Sequence, residues 1–456
     1  MIPASYIRRL GPLLEELKQR FYQNDRSGVA QESTAMNPDE KVLDSVFQTL
    51  VERLSRNYPF HHHRYAGQML KPPHPAAWLA YALSMTVNPN NHALDGGPEA
   101  SVMEKEVMER LTAWTGFPAG SLGHLTSSGT IANLEALWVA RQLHPDRPVA
   151  ISSLSHYTHR RMCGLLNHPV VEVPSGDDGF PDPSLLDPAA PLPGTLVVTL
   201  GTTGQGRVEP LHTLVRWAEE KGVRIHVDAA YGGFYYLLRK SGLIDPEPWE
   251  ALPRADSLVI DPHKHGLQPY GCGSVLFRDP SAGRFYHHDS PYTYFTSDER
   301  HLGEISLECS RAGSAAVALW LTMELLSAEG LRSMLSDCRK AALKLHEGLM
   351  ENDQFESLMR PELDIVTFVP RAKSSRCSEI SMLSKKILKI GMQTDQLYLS
   401  TMDLDSQQVR RSLPGLEVDQ DHVTVLRSVL MKPEHLSFVP EMLDRLNMLY
   451  RQADRN

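Results

Sequence analysis

Between about residues 120 and 280 the chain alternates short, β-branched apolar runs with longer amphipathic ones. The runs at 148–151, 170–173, 195–200, 224–227, 257–260 and 274–277 have the length and composition of buried strands. Segments 131–143, 156–167 and 211–221 between them repeat apolar positions at helical spacing. That alternation predicts an α/β unit around a mostly parallel sheet, with ligands gathered at the strand ends. Ahead of it, residues 1–60 read as a helical segment, with Leu10, Leu13, Leu14, Leu17 and Phe21 on one face and a polar connection over 24–41. Residues 101–114 read as another helix, with Ser101 and Glu104 spaced for a capping box. Beyond residue 300 the pattern predicts helices at 315–326 and 331–352, strands at 365–369 and 423–430, and a last helix at 440–451. The expected organisation is an N-terminal helical segment (1–60), a large domain (61–325) and a small C-terminal α+β domain (326–456).

A chain of 456 residues can build about two or three packed units, and 41% hydrophobic with 22% charged residues describes a folded globular protein. The formal net charge of −9 removes the basic footprint that nucleic acids and anionic membranes select, so neither partner is expected. The most apolar window, 315–326, is too short for a bilayer span and carries Glu324. Five scattered cysteines form no Cys-x-x-Cys pair, which argues against a disulfide framework or structural zinc and for a reducing, cytoplasmic setting. Residues 1–22 lack the uninterrupted apolar core of a secretory signal. The adjacent His61, His62 and His63 point in different directions and have no further ligand at a suitable spacing, so no metal site is expected.

The chemistry centres on Lys264, in Asp261-Pro262-His263-Lys264, set between two apolar runs where an amine is partly desolvated and able to attack carbonyls. Asp228, 36 residues earlier, ends another strand-like run. A lysine that joins an aldehyde and an aspartate that pairs with a pyridinium nitrogen make the pyridoxal phosphate arrangement. Taken singly, each residue is more often a surface charge or a turn former. Thr126-Ser127-Ser128-Gly129-Thr130 precedes a helix, where free N–H groups hold a phosphate or a hydroxyl simply caps the first turn. Gly201-Thr202-Thr203-Gly204-Gln205-Gly206 lacks the spacing of a dinucleotide or P-loop motif, yet a tight turn there brings Thr203 toward a ligand oxygen. His156 follows a strand, where its ring can stack on a planar cofactor. The polar loop at 88–98, with Asn91 and His92, and the Tyr/His-rich stretch at 284–299 are candidates to line or close the site.

In order, Thr-Ser-Ser-Gly-Thr (126–130), Ser-His-Tyr (155–157), Gly-Thr-Thr (201–203), His-Val-Asp-Ala-Ala-Tyr (226–231), Asp-Pro-His-Lys (261–264) and Cys-Ser-Arg-Ala-Gly (309–313) resemble the group II pyridoxal phosphate decarboxylases. These include the aromatic amino acid, glutamate, histidine and archaeal tyrosine/aspartate decarboxylases. The resemblance implies a fold-type I architecture, a homodimer with shared active sites, and release of carbon dioxide from an L-amino acid to leave the amine. It implies that Lys264 binds the cofactor covalently, Asp228 pairs with the ring nitrogen, His156 and Ala230 flank the ring, and Thr203 lies near the ring oxygen. Ser128, Gly129, Thr130 and His263 would hold the phosphate, with Gly313 and Ser314 reaching in from the partner subunit. Tyr292, 28 residues after Lys264, would donate a proton, with Tyr294 as the substitute, and Arg427 would anchor the substrate carboxylate. Ile131 stands where many relatives carry Glu, and Asp261 where aromatic amino acid decarboxylases carry Asn. Those departures leave the substrate open. The same cofactor contacts also serve aminotransfer, carbon–carbon cleavage or aldehyde formation, the competing reading.

Overall fold

The computed structural model describes residues 2–22, 39–287 and 302–455. Its centre is a seven-stranded sheet of β1 (Leu122–Thr126), β2 (Val149–Ser152), β3 (Val170–Val173), β4 (Thr195–Thr199), β5 (Arg224–Asp228), β6 (Ser257–Ile260) and β7 (Gly273–Phe277), in the spatial order β1-β7-β6-β5-β4-β2-β3. The run from β3 to β6 is parallel, and β7 lies antiparallel to both β6 and β1. Parallel strands are covered on both faces, which is why β4 and β5 read as unbroken apolar runs; Val197, Val198, Ile225 and Val227 are all buried. The six expected strands are present within one residue of their expected bounds. β1 was not expected. Leu-Gly-His-Leu-Thr has weak intrinsic preference and becomes a strand through its pairing, Leu122 opposite Phe277 and Thr126 opposite Gly273.

A second, antiparallel sheet contains β8 (Phe355–Ser357), β9 (Ile365–Pro370), β10 (Ser400–Asp405) and β11 (His422–Val429), in the order β10-β11-β9-β8. β10, too polar to stand out in the sequence, was also unforeseen, as was the helix Cys377–Gln393 that packs across β11. The expected helices at 315–326 and 331–352 form one element, Ser314–Met350, broken only at Ser327, whose φ is 54°. This element crosses the boundary expected at 325/326. Its apolar side is buried against helices Pro75–Met85, Pro98–Thr115 and His435–Arg455, with Leu319, Leu335 and Leu345 at its centre.

The capping box is corrected by the structure. The helix begins at Pro98, where proline's fixed φ suits the first turn, and Gly97 precedes it, so Ser101 is already inside and buried. Glu104 instead turns into the core. Its Oε1 accepts from Leu125 N–H at 2.9 Å and Arg311 Nη1 at 2.6 Å, and its Oε2 from Asn91 Nδ2 at 2.7 Å.

In the C-terminal sheet, Phe368 is wholly buried and stacks edge-on against Phe355, with ring centroids 5.8 Å apart. Phe368→Ala is expected to destabilise the protein by about 3–5 kcal/mol, read as a lowered thermal-melting midpoint.

Candidate active site

The carboxyl ends of β4, β5 and β6 deliver three loops to one cavity of about 400 Å³. Its lining brings together Ser128, Gly129, Thr130, His156, Thr203, Asp228, Ala230, His263 and Lys264, residues drawn from separate stretches of the sequence.

One wall is the start of helix Gly129–Leu143. Ser128 Oγ accepts from Ile131 N–H at 3.3 Å, so the capping role is filled, while the N–H groups of Gly129 and Thr130 lie in the first turn, where no intrahelical acceptor exists. At position 129 a Cβ would stand 2.5 Å from Asp261 Oδ2, so any larger residue would displace that carboxylate. Gly273 at the start of β7 is constrained in the same way, by Ser128 C at 2.6 Å. The helix dipole and these close approaches form a cradle for an anion.

Asp228 forms the floor at the end of β5. Its Oδ1 accepts from Ala230 N–H at 3.1 Å, and its Oδ2 lies 3.3 Å from His159 Nε2. Burial raises the carboxyl's pKa, but His159, Lys264 and the Ala230 N–H outweigh it and hold the value below the ordinary aspartate range. His159 Nδ1 donates to His156 O at 3.0 Å, and its Nε2 also lies 3.2 Å from Asn133 Oδ1. Both ring nitrogens therefore face oxygen atoms. Asn133 Oδ1 also accepts from His226 Nε2 at 2.8 Å. Burial pushes the His226 pKa down to about 3, so that ring is neutral, with its other nitrogen 2.9 Å from Ser257 Oγ. Asn133 Nδ2 donates to Gly129 O at 2.8 Å and so joins the carboxylate floor to the anion cradle.

His156 Nδ1 accepts from Thr158 N–H at 3.3 Å and lies 2.8 Å from the Thr158 hydroxyl, which fixes the ring. Burial lowers its pKa, so it presents a neutral imidazole face to the cavity. Lys264 Nζ lies 3.1 Å from Asp261 Oδ2, with the lysine side chain 20% exposed, so the amine is partly desolvated, as expected, and also ion-paired. His263 is anchored through Nδ1, which donates to Cys272 O at 2.7 Å. Behind the lysine, His265 Nε2 donates to Asp364 Oδ2 at 2.8 Å, and the Tyr231 hydroxyl to Asp364 Oδ1 at 2.5 Å.

Other expected residues lie elsewhere in the single chain. Asn91 is buried and committed to Glu104 and to Ala100 O, and neither it nor His92 lines the cavity. Gly313 packs against Asn91 and Pro89, and Ser314 opens the long helix. Arg427 is buried behind the cavity wall. Its guanidinium donates to Gly204 O (2.7 Å), Thr203 O (2.6 Å), Gly67 O (3.2 Å) and Ser400 Oγ (3.2 Å), all of them neutral acceptors. Tyr292 and Tyr294 lie outside the described residues.

Sequence reasoning missed His159, Asn133, His226, His265, Asp261 and Asp364 as site residues. Some signals were present. Asn133 lies one helical turn from Gly129, His226 shares a strand face with Asp228, and His159 follows His156 by one turn. Nothing near Asp364 in sequence points to Lys264.

An anion cradle, an ionised carboxylate and a lysine amine on one cavity fit pyridoxal phosphate: the helix start and His263 would hold its phosphate, Asp228 its ring nitrogen and Lys264 its aldehyde carbon. The comparisons agree. The pyridoxal-dependent decarboxylase conserved domain matches residues 30–371. The chain is 30% identical to a probable L-tyrosine/L-aspartate decarboxylase of Methanoregula boonei, over 67% of this chain and 82% of that protein. It is 25% identical to an L-2,4-diaminobutyrate decarboxylase of Acinetobacter baumannii, over 69% of this chain and 68% of that one. In fold it is similar to the crystal structure of mouse CSAD, with a TM-score of 0.78 at 20% identity, covering 95% of this chain and 91% of that one. Oryza sativa TDC, solved with PLP and tryptamine, gives a TM-score of 0.76 at 17% identity, with 98% of each chain covered. The chain belongs to the pyridoxal-dependent decarboxylase family and is a pyridoxal phosphate-dependent carboxy-lyase acting on an amino acid.

His159→Leu would leave Asp228 Oδ2 buried without its imidazole neighbour. Titration of the apoenzyme with pyridoxal phosphate, followed by absorbance, is expected to show cofactor binding weakened by about tenfold or more.

Proposed function

We propose that this decarboxylase releases carbon dioxide from an L-amino acid, with L-tyrosine and L-aspartate the first candidates, as a homodimer in the cytoplasm. The observation that carries the reaction is the convergence of Lys264 and an ionised Asp228 on one cavity. The candidates come from the names of the archaeal relatives.

Lys264 must become a neutral amine to act as a nucleophile, and Asp261 Oδ2, 3.1 Å away, is placed to receive the proton it sheds. Pyridoxal phosphate, when bound, supplies the electron-withdrawing ring that takes up the electron pair released with carbon dioxide. Asp228, held ionised by His159 and the Ala230 N–H, keeps a proton on the ring nitrogen, which preserves that capacity. His156 and Ala230 line the cavity as ring-flanking surfaces, and Thr203 as the neighbour of the ring oxygen.

Arg427 is assigned to the substrate carboxylate. In support, its guanidinium has only neutral partners among the described residues, and it grips the carbonyl of the cavity residue Thr203. Fixing the carboxylate selects which bond to Cα lines up with the ring and breaks. Tyr292 is assigned the proton returned to Cα, with Tyr294 as the substitute.

The dimer reading rests on the N-terminal helices. Helix Glu40–Ser55 has no buried residue, and Val42, Val46, Phe47, Leu50 and Leu54 form an apolar stripe with Phe47 52% and Leu50 47% exposed. A second copy would cover such a stripe, and Gly313 and Ser314 would then serve the partner's phosphate cradle. Free cysteines throughout fit a reducing cytoplasm, and the net charge of −9 fits a protein without nucleic-acid or membrane partners.

Incubating purified holoenzyme with a panel of amino acids should yield the amine and carbon dioxide by mass spectrometry. An aldehyde or keto acid as the main product would overturn the decarboxylation reading. Lys264→Ala should lose both turnover and the visible absorbance of lysine-bound cofactor. Val46→Glu combined with Leu50→Glu is expected to shift the sedimenting species from dimer to monomer with loss of activity and unchanged helix content; a variant that stays dimeric and active would remove this helix from the interface.

A further inference from the structure

Two arginines face a second cavity, of about 450 Å³, that shares no lining residue with the one at Lys264. Arg339, on helix Ser314–Met350, is only 2% exposed. Its Nε donates to Leu243 O at 3.0 Å and its Nη1 to Leu363 O at 3.1 Å; among the described residues nothing accepts from its Nη2. Arg360 reaches the same cavity from the turn before β9 and has neither a hydrogen-bond nor an ion-pair partner among the described residues. Glu362 is close by, but its Oε2 takes the Val208 N–H at 2.7 Å and its Oε1 faces Arg207 Nε at 3.6 Å. The rest of the wall includes apolar surface from Trp249, Ile244 and Pro248, all buried, and the exposed Asp245, whose Oδ1 accepts from Glu247 N–H at 3.1 Å.

A buried guanidinium hydrogen-bonded only to carbonyls has its desolvation cost offset only in part by the more distant charges of Asp364 and Glu362, and the Arg360 guanidinium adds repulsion. Burial, with the Arg360 charge adding to it, pushes the Arg339 pKa down to about 10. A carboxylate would satisfy the open Nη2, pair with Arg360 and relieve the repulsion between them. The indole and aliphatic walls suit an apolar body attached to that head group rather than a bare ion.

We propose that this cavity binds a small organic carboxylate, with its anionic head on Arg339 and Arg360 and its apolar body on Trp249, and that the bound acid acts on the catalytic lysine through residues 363 and 364. The route is covalent and short. Arg339 holds Leu363 O, and the next residue, Asp364, is wholly buried and grips Tyr231 and His265. His265 directly follows Lys264. An occupant that draws on Arg339 therefore pulls on the segment that positions the lysine loop.

The test is calorimetry on the holoenzyme with three probes: 3-phenylpropanoate, which has head and body; inorganic phosphate, an anion without the body; and 3-phenylpropanol, the body without the charge. Saturable binding of 3-phenylpropanoate is expected, with both other probes weaker, and Arg360→Gln should weaken it by about tenfold. Binding should also change the tryptophan fluorescence of the wild type, and that change should be lost in Trp249→Phe. Saturating acid should alter kcat or KM in the wild type, whereas Arg360→Gln should keep its basal activity and lose the response. Because Arg360 is exposed and makes no hydrogen bond or ion pair among the described residues, this variant tests the proposal even if Arg339→Met fails to fold. Absence of saturable binding, or equal affinity in Arg360→Gln, overturns the site. Phosphate binding as tightly as the acid overturns the organic ligand class, and binding with no effect on turnover overturns the coupling.

Discussion

A carboxylate at the end of β5, 5% exposed, would ordinarily take up a proton rather than remain charged away from water, and the site depends on preventing that. Asp228 stays ionised because His159 and Lys264 set positive charge against it and the Ala230 N–H donates to it. Each of those groups needs its own support. His159 is held by His156 O and Asn133, Asn133 by Gly129 O and His226, and His226 by Ser257. The chain of hydrogen bonds passes from the ring-nitrogen partner to the anion cradle without crossing solvent, so the two ends of the cofactor site are positioned as one unit.

A second buried network ties the C-terminal sheet to the same site. Asp364, just ahead of β9, holds His265 and Tyr231, which flank the lysine and the Ala230 surface in sequence. Arg427 on β11 clamps the carbonyls of Thr203 and Gly204 together with Gly67 O. Both contacts come from the smaller sheet and end on loops of the larger one. A displacement of one sheet against the other would therefore reach the lysine loop and the Thr203 turn together, which explains how chemistry carried at strand ends can respond to residues 99 and 224 positions away in sequence.

The core strands were legible because parallel, two-face burial demands unbroken apolar runs, and that pattern survives in the sequence from 195–199 and 224–228. The strands missed, β1, β8 and β10, are those whose conformation comes from pairing, Leu122 with Phe277, Phe355 with Pro370 and Ser400 with Arg427, rather than from their own composition. The same limit misplaced Glu104. At helical spacing from Ser101 it looked like half of a capping box, but Arg311, far along the chain, pairs with it inside the core. Asn91, which looked like a free loop donor, is taken by that same carboxylate.

By itself, the sequence determined the chemistry of individual groups: a lysine between apolar runs, an aspartate ending a strand, hydroxyls and glycine ahead of a helix, and their order along the chain. Those properties are local, set by side-chain type and by the backbone period on which each residue sits. Only the tertiary structure decided what each charge is paired with. It put Asp261 against Lys264, His159 against Asp228 and Asp364 behind His265, and it left Arg339 and Arg360 facing a cavity with no ion-pair partner among the described residues. Pairing depends on which loops the sheet order brings together, and electrostatic energy in a buried site depends on separations of a few ångströms that no spacing along the chain encodes.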